Sequence, residues 1–397
     1  MRISSQQINL AGLSSLQSQE AEVAKQQSEI SSGVRVQTPS DDPLAAAQAE
    51  RARSRIVHAQ LAQRNAQLST SVLAAADSAL SQGTDILQRT RDLLVSAADP
   101  SYSAQDRQSM ATEIQGLRDQ LLQAANTSDG AGGYVFGGQG ANSAPMSLGS
   151  QPGYGPAAGE QHIGEGGTLL TSVDGRATFI SIPQGNGVFT TTSAAGNAGS
   201  GWIDTGSVTD ANALTGHSYS IAISNGASGL TYDITDTTTG TAVVSGAPYT
   251  NGNDIVFDGQ RVKISGTPVA GDSFTVAPAQ TQSIFQTLDS AISLLQNNSL
   301  SDSAYTEQLQ RVQVNVDRGL DSVIQMRTHV GEAANSADEQ QSEGASTELA
   351  ATQRRSDLRD VDMASAITKL QGAQTGLNAA LQAYSTVSRK SLFDFLG

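Results

Sequence analysis

The chain has 397 residues, 15% of them charged and 4% aromatic, with a net charge of −15 and no cysteine. The missing cysteines exclude disulfides, thiolate zinc sites, iron–sulfur clusters and a cysteine nucleophile. The acidic balance opposes nucleic-acid and anionic-membrane partners, which need Lys and Arg against their phosphates, and no apolar run approaches the ~20 residues that span a bilayer.

The start, Met1-Arg2-Ile3-Ser4-Ser5-Gln6-Gln7, lacks the roughly 7–15-residue apolar stretch of a cleaved secretory signal. On composition alone a soluble, acidic, cytoplasmic protein is expected. Leu13, Leu16, Val23 and Ile30 then follow alternating three- and four-residue steps, with polar Glu20 and Gln27 at the intervening seam positions. A period of 3.5 keeps an apolar stripe facing a partner helix, and polar seam residues weaken the pairing while specifying its register. The turn Pro39-Ser40-Asp41-Asp42-Pro43 stops this helix and starts the next, with Asp42 as N-cap and Pro43 at the first helical position. Asp41-Asp42 also suits a general acid/base or a cation site; a cap favoured by the helix dipole is the reading taken.

A second helical stripe runs through Leu61, Leu68, Val72, Ala75 and Ala79 into Ile86 and ends at Asp99-Pro100. Ser103-Ala104-Gln105-Asp106 has capping-box spacing for a third helix, carrying Met110, Ile114, Leu117 and Leu121. Short loops between successive helices favour antiparallel neighbours.

The chemistry then changes. Of 39 glycines, 29 lie between Gly130 and Gly271, and eleven of the 17 aromatic residues lie between Tyr134 and Phe274, so boundaries fall near 130 and 280. The stretch from Gly132 to Gly140 invites a phosphate-loop reading but lacks the Gly-Lys-Ser/Thr ending; a flexible helix-to-strand connection is expected. Strands are expected beyond it. Ile255-Val256-Phe257 and Val262-Lys263-Ile264 flank Asp258-Gly259, a type I′ hairpin pair. Tyr219, Ile221 and Ile223 alternate up to Asn225-Gly226, and Tyr232 and Ile234 alternate beyond it.

Helical spacing returns at Ile284, Leu288 and Leu295, then from Leu309 through Val316 and Val323 to Val330. It closes with Ile367, Leu370, Gln374, Leu377, Leu381 and Tyr384, a second 3.5-residue seam. Four scattered histidines lack metal-ligand spacing, so neither metal nor cofactor is expected, and no enzyme. Asn126-Thr127-Ser128 and Asn297-Asn298-Ser299 match the N-glycosylation pattern and are read as loop chemistry.

The expected fold is mainly α with an inserted β domain: an elongated antiparallel helix bundle or coiled-coil rod plus a small β sandwich or barrel. Residues 1–40 and 355–397 would be a terminal coiled-coil assembly region, 41–129 and 280–354 a helical bundle domain, and 130–279 an inserted outer β domain. The two terminal segments carry net charges of 0 and +1, against −3, −7 and −6 for 41–129, 130–279 and 280–354. The ends can therefore crowd together without strong self-repulsion. Thin, polar-interrupted helices are marginal alone, because nucleation is costly and little area is buried. They make sense packed against copies of themselves or of a neighbour.

Three stretches resemble the flagellin superfamily, and within it the hook-associated proteins. They are Ser32-Gly33-Val34-Arg35-Val36 with Pro39 to Ala46, Asp119 to Gly130 with Tyr134-Val135-Phe136-Gly137-Gly138, and the tail from Asp357 through Gln374-Thr375-Gly376-Leu377 to Ser391-Leu392-Phe393. The resemblance implies a structural subunit without catalytic activity at the bacterial hook–filament junction, in a ring of about eleven copies. It implies hook-associated protein 1 and flagellin as neighbours, extracellular localisation through the flagellar type III apparatus, and an export chaperone. The implied assembly residues are Leu13, Leu16, Val23, Ile30, Ile367, Leu370, Leu377, Leu381, Tyr384 and Leu392. The alternatives are flagellin itself, or a secreted binding protein acting through the β insertion.

Overall fold

The computed structural model describes residues 5–138, 143–146, 161–163 and 169–396. Its helices are α1 (Ser5–Ser32), α2 (Pro43–Ala97), α3 (Ala104–Ala125), α4 (Ile284–Gln296), α5 (Asp302–Arg359) and α6 (Met363–Leu396). Strands between α3 and α4 are β1 (Gln161–Ile163), β2 (Leu169–Ser172), β3 (Ile182–Pro183), β4 (Phe189–Ser193), β5 (Trp202–Ile203) and β6 (Ser207–Val208). They continue with β7 (Tyr219–Gly226), β8 (Gly229–Asp236), β9 (Thr241–Pro248), β10 (Asp254–Phe257), β11 (Gln260–Ser265), β12 (Ser273–Pro278) and β13 (Thr281–Gln282). The fold is thus mainly α with an inserted antiparallel β domain. The chain divides into two compact units, one of residues 1–64 with 340–397 and one of residues 65–339.

The second unit holds the large cores. Leu73, Leu80, Leu87 and Leu94 recur every seven residues along α2 and are at most 1% exposed. They meet Ile114 and Leu121 of α3, Leu288 and Leu295 of α4, and Val316, Val323 and Val330 of α5 in one cluster. The expected stripe on α2 was one face off at its start: Leu68 is 47% exposed, while Ala66 and Ser69 are fully buried. The small residues sit where neighbours approach closely, which an apolarity count overlooks. Ser103 and Asp106 close the capping box that starts α3.

As far as Gly138 the stretch after α3 is held in place rather than left as a flexible connection; Gln139 and Gly140 lie outside the described residues. The Val135 N–H donates to the Thr127 carbonyl at 3.0 Å, and the Val173 N–H to the Val135 carbonyl at 2.8 Å. Phe136 is fully buried and meets Phe179 edge-on at 5.2 Å, and Phe179 meets Phe285 of α4 at 6.5 Å. Val135, Phe136, Met146, Leu170, Val173, Phe179 and Ile182 all enter the helical core. The strand core instead draws on residues 189 to 276. Glycine permits the turns here, and the aromatic side chains anchor them.

Two sheets enclose that strand core. One has the order β4-β12-β7-β8-β9, and the other β10-β11-β5, with β6 also on β11. Tyr219, Ile221, Ile223, Ile234, Phe274 and Val276 point inward, as period-two alternation requires. Between β7 and β8 the turn falls on Ala227-Ser228, because Asn225 and Gly226 still pair with Leu230 and Gly229. The Asp258-Gly259 turn has φ of 41° and 74°, the left-handed pair that a type I′ hairpin needs. A Cβ at Gly259 would also strike the Asp210 carbonyl. Gly259→Ala is expected to cost about 1–3 kcal/mol of unit stability, read from the urea midpoint.

Asp236, at the end of β8, is 5% exposed. Burial raises its carboxyl, but hydrogen bonds from Thr239, the His217 ring at 2.7 Å and the Thr238 N–H at 2.8 Å outweigh it and hold the pKa at about 2. A depressed carboxylate stabilises the fold above its unfolded value of about 3.9 and loses that contribution as pH falls toward 2. Asp236→Asn should flatten the acid limb of the pH–stability curve between about 4 and 2 and leave its neutral region with only the loss of the hydrogen bonds. Thermal melts across that window check it.

The strands are tied to α5 by buried polar contacts. Glu307 is 6% exposed; it accepts the Ser193 N–H at 3.0 Å and the Ser193 hydroxyl, and Arg311 donates to it at 2.6 Å. Two turns on, Asn315 accepts the Gly185 N–H at 2.8 Å, and Arg318 donates to the Asn186 carbonyl.

Candidate assembly surface

The first unit is built from different material. Its buried apolar residues are mostly alanine: Ala45, Ala49, Ala52, Ala59, Ala351 and Ala366, with Leu16, Val36 and Ile56. Among the described residues it contributes to none of the hydrophobic core clusters, yet it carries nine of the seventeen large hydrophobic residues that are exposed. A unit that buries methyl groups and exposes leucines has its apolar area where a partner can take it.

Its helix turns are fastened by polar groups. Gly33, with φ of 69°, lets α1 end in a tight turn. The Arg35 N–H then donates to the Arg359 carbonyl at 2.8 Å, and the Val361 N–H to the Gly33 carbonyl at 3.0 Å. This stitches the break between α1 and α2 to the break between α5 and α6. In Pro39-Ser40-Asp41-Asp42-Pro43, the Asp41 carboxylate accepts the N–H groups of Thr38 at 2.7 Å and Gln37 at 3.1 Å. Asp42 accepts the Ala45 N–H at 3.0 Å as the cap of α2 and lies 3.5 Å from Arg35. Hydrogen bonds, from Thr38 to Asp41 and from Ala45 to Asp42, lower both carboxyl pKa values.

Helices α1 and α6 pack antiparallel along a close seam. On α1 the buried or half-buried positions are Gly12, Leu16, Gln19, Val23, Gln26 and Ile30, with Glu29 also buried. On α6 they are Ala366, Leu370, Ala373, Gly376, Leu377, Ala380 and Tyr384. A Cβ at Gly12 would lie 3.0 Å from the Tyr384 ring, and one at Gly376 2.8 Å from the Gln19 side-chain oxygen. Glycine at these two positions lets the backbones approach.

Leu16, Val23 and Ile30 thus line the seam, as do Leu370, Leu377 and Tyr384. The intervening positions are shifted by one residue from the expected ones. Gln19 and Gln26 face inward while Glu20 and Gln27 are exposed, and Ala366, Ala373 and Ala380 take the places expected of Ile367, Gln374 and Leu381. The outward residues include the larger apolar ones: Leu10 is 63% exposed, Leu13, Met363 and Leu381 each 46%, and Ile367 44%. Ile367, Gln374 and Leu381 are seven residues apart, so they form one line along α6. The side chain of Leu392 lies outside the described residues. Leu10, Met363 and the alanine seam went unread in the sequence, although Leu10 stands three residues before Leu13, Met363 four before Ile367, and Ala366, Ala373 and Ala380 recur every seven.

Residues 3–141 match the family model of the bacterial flagellin N-terminal helical region, and residues 192–278 match that of the flagellar hook-associated protein 1 D2-like domain. Along 99% of its length the chain is 27% identical to flagellar hook-associated protein 3 of Escherichia coli K12, covering 99% of that protein. Its N-terminal helical region is thus similar to that of bacterial flagellins, and its whole length to a hook-associated protein. Among solved structures of hook-associated relatives, the flagellar junction protein FlgL of Legionella pneumophila is 28% identical with a TM-score of 0.71, over 79% of this chain and 100% of that one. FlgL of Xanthomonas campestris is 27% identical with a TM-score of 0.69, over 78% and 99% of the two chains. The helical flanks with a β insertion are thus an arrangement shared with hook-associated relatives.

Proposed function

We propose that this chain is a non-catalytic junction subunit that connects the flagellar hook to the filament through helical self-assembly of its terminal helices. The observation that carries the reading is the outward apolar line on α1 and α6, where Leu13, Ile367 and Leu381 are 44–46% exposed. Similarity along nearly the whole chain to hook-associated protein 3 supports the location. In this reading residues 1–40 and 355–397 are the assembly region, 41–129 and 280–354 the surrounding bundle, and 130–279 the outer domain. Copies form a ring of about eleven, with hook-associated protein 1 on one side and flagellin on the other. The subunit leaves the cell through the flagellar type III apparatus, escorted by a chaperone on its last helix. Burial of the outward line against neighbouring copies offsets the entropy of ordering the ends.

Immunogold microscopy of intact flagella tests this. Label confined to the hook–filament boundary is expected. Label along the whole shaft would make the chain a filament subunit, and its absence from flagella would overturn both readings.

A further inference from the structure

Within the second unit the strand core and the helical core do not merge. Among the described residues none belongs to both: the helical cluster holds nothing between Ile182 and Ile284, and the strand cluster runs from Phe189 to Val276. The chain passes between the two cores twice, and the passages meet as a short neck. Its ladder pairs Ile182 with Gln282 and Pro183 with Thr281. Beyond the ladder the Gln184 N–H donates to the Gln280 carbonyl and the Ala279 N–H to the Val188 carbonyl, both at 2.9 Å. A two-stranded ribbon is marginal by itself, so it is a poor means of fixing the direction of the domain it carries. An open cleft of about 690 Å³ beside the neck, lined by Gln184, Thr281, Gln282, Gln286, Ser293 and Gln308, leaves room for movement.

Helix α5 supplies what the neck lacks. Glu307, Arg311, Asn315 and Arg318 are spaced by four, four and three residues, so they share one face of the helix. Three of them bond to the first passage. Glu307 holds Ser193 at the end of β4, Asn315 accepts the Gly185 N–H, and Arg318 donates to the carbonyls of Gly185 and Asn186. Arg311 donates to Glu307 and so pairs its buried charge. Two glycines shape the chain around Arg318. Gly185 and Gly187 have φ of 58° and 91°, and a Cβ at Gly187 would lie 3.3 Å from the guanidinium carbon. We infer that this polar row is a latch: it sets the angle between the β sandwich and the helices, and without it the neck is a hinge. Hydrogen bonds suit the task because they are directional and each adds little net stability. The inference concerns a single subunit, so it stands apart from the junction reading.

Because the natural chain has no cysteine, spin labels on Gln115→Cys in α3 and Ser245→Cys in β9 report one distance between helices and sandwich. Both positions are exposed. Pulsed electron paramagnetic resonance of the otherwise unaltered chain should give a narrow distance distribution, and E307A/N315A/R318A one broader by about twofold or more. Both cores should stay folded, read from helical circular dichroism and from the fluorescence of Trp202, the single tryptophan, on β5. If the triple variant loses either signal, N315A/R318A, which keeps Glu307 paired with Arg311, is read in its place on the same outcomes. A distribution that stays narrow with both cores folded overturns the latch and means that the neck alone holds the angle. A distribution already broad in the unaltered chain overturns it as well. Ser322→Ala is the control, because its hydroxyl donates to the Thr178 carbonyl at 3.1 Å on the helical side of the neck. Its distribution should stay narrow; broadening there would assign the effect to general loosening of α5 and overturn the inference.

Discussion

Ile367→Asp combined with Leu381→Asp should reduce filament attachment at least tenfold while leaving the monomer folded. Both side chains are about half exposed and lie outside the α1–α6 seam, so charging them costs the isolated chain within about 0.5 kcal/mol each. In the proposed assembly the same positions would be covered. Each large aliphatic side chain withdrawn from water contributes about 1.5–3 kcal/mol, and a carboxylate buried there without a partner adds a further penalty at every repeated contact. Leu377→Asp is the necessary comparison. It lies in the seam with Leu16 and Tyr384, so it should loosen the helix pair itself and lower the helical signal of the purified chain. Unchanged filament numbers with the Ile367/Leu381 pair, verified by counting filaments in the electron microscope, would exclude the outward line from assembly.

The second large effect belongs to the other unit. Phe179→Ala should destabilise residues 65–339 by about 3–5 kcal/mol, measured from the denaturant midpoint. Phe179 is 1% exposed and lies between Phe136 and Phe285, joining the segment after α3 to the first helix after the strands. Removing it leaves a cavity lined by two rings that are themselves held by backbone hydrogen bonds and helix packing, so the site cannot collapse cheaply. A double cycle with Phe285→Ala should show coupling of roughly 0.5–1.5 kcal/mol, the scale of an aromatic contact beyond its area. Fully additive losses would mean that the two rings act separately.

Much of this architecture was legible in the residue order because local chemistry and tertiary need agree. Asp42 before Pro43, Ser103 with Asp106, and Asp258-Gly259 each satisfy a local backbone requirement, and the structure places each where that requirement lies. Readings failed where a residue's role depends on what approaches it. Val135 and Phe136 sit among glycines yet fill a core formed by helices far along the chain. Leu68 continues an apolar stripe yet faces outward, because Ala66 and Ser69 occupy the close contacts.

The acidic, cysteine-free composition determined what chemistry the chain lacks, and the partition of glycine and aromatic residues determined a helical protein with a β insertion. Leu16, Val23 and Ile30, with Leu370, Leu377 and Tyr384, were readable as seam residues because they recur every seven positions under either choice of register. Which residues stand between them was decided only by the tertiary structure. A seam can place its alternate contacts one residue to either side of the same line, and apolarity favours the larger side chain. Close antiparallel packing selects the smaller one: glycine and alanine let α1 and α6 approach, and Leu13, Ile367 and Leu381 remain outside.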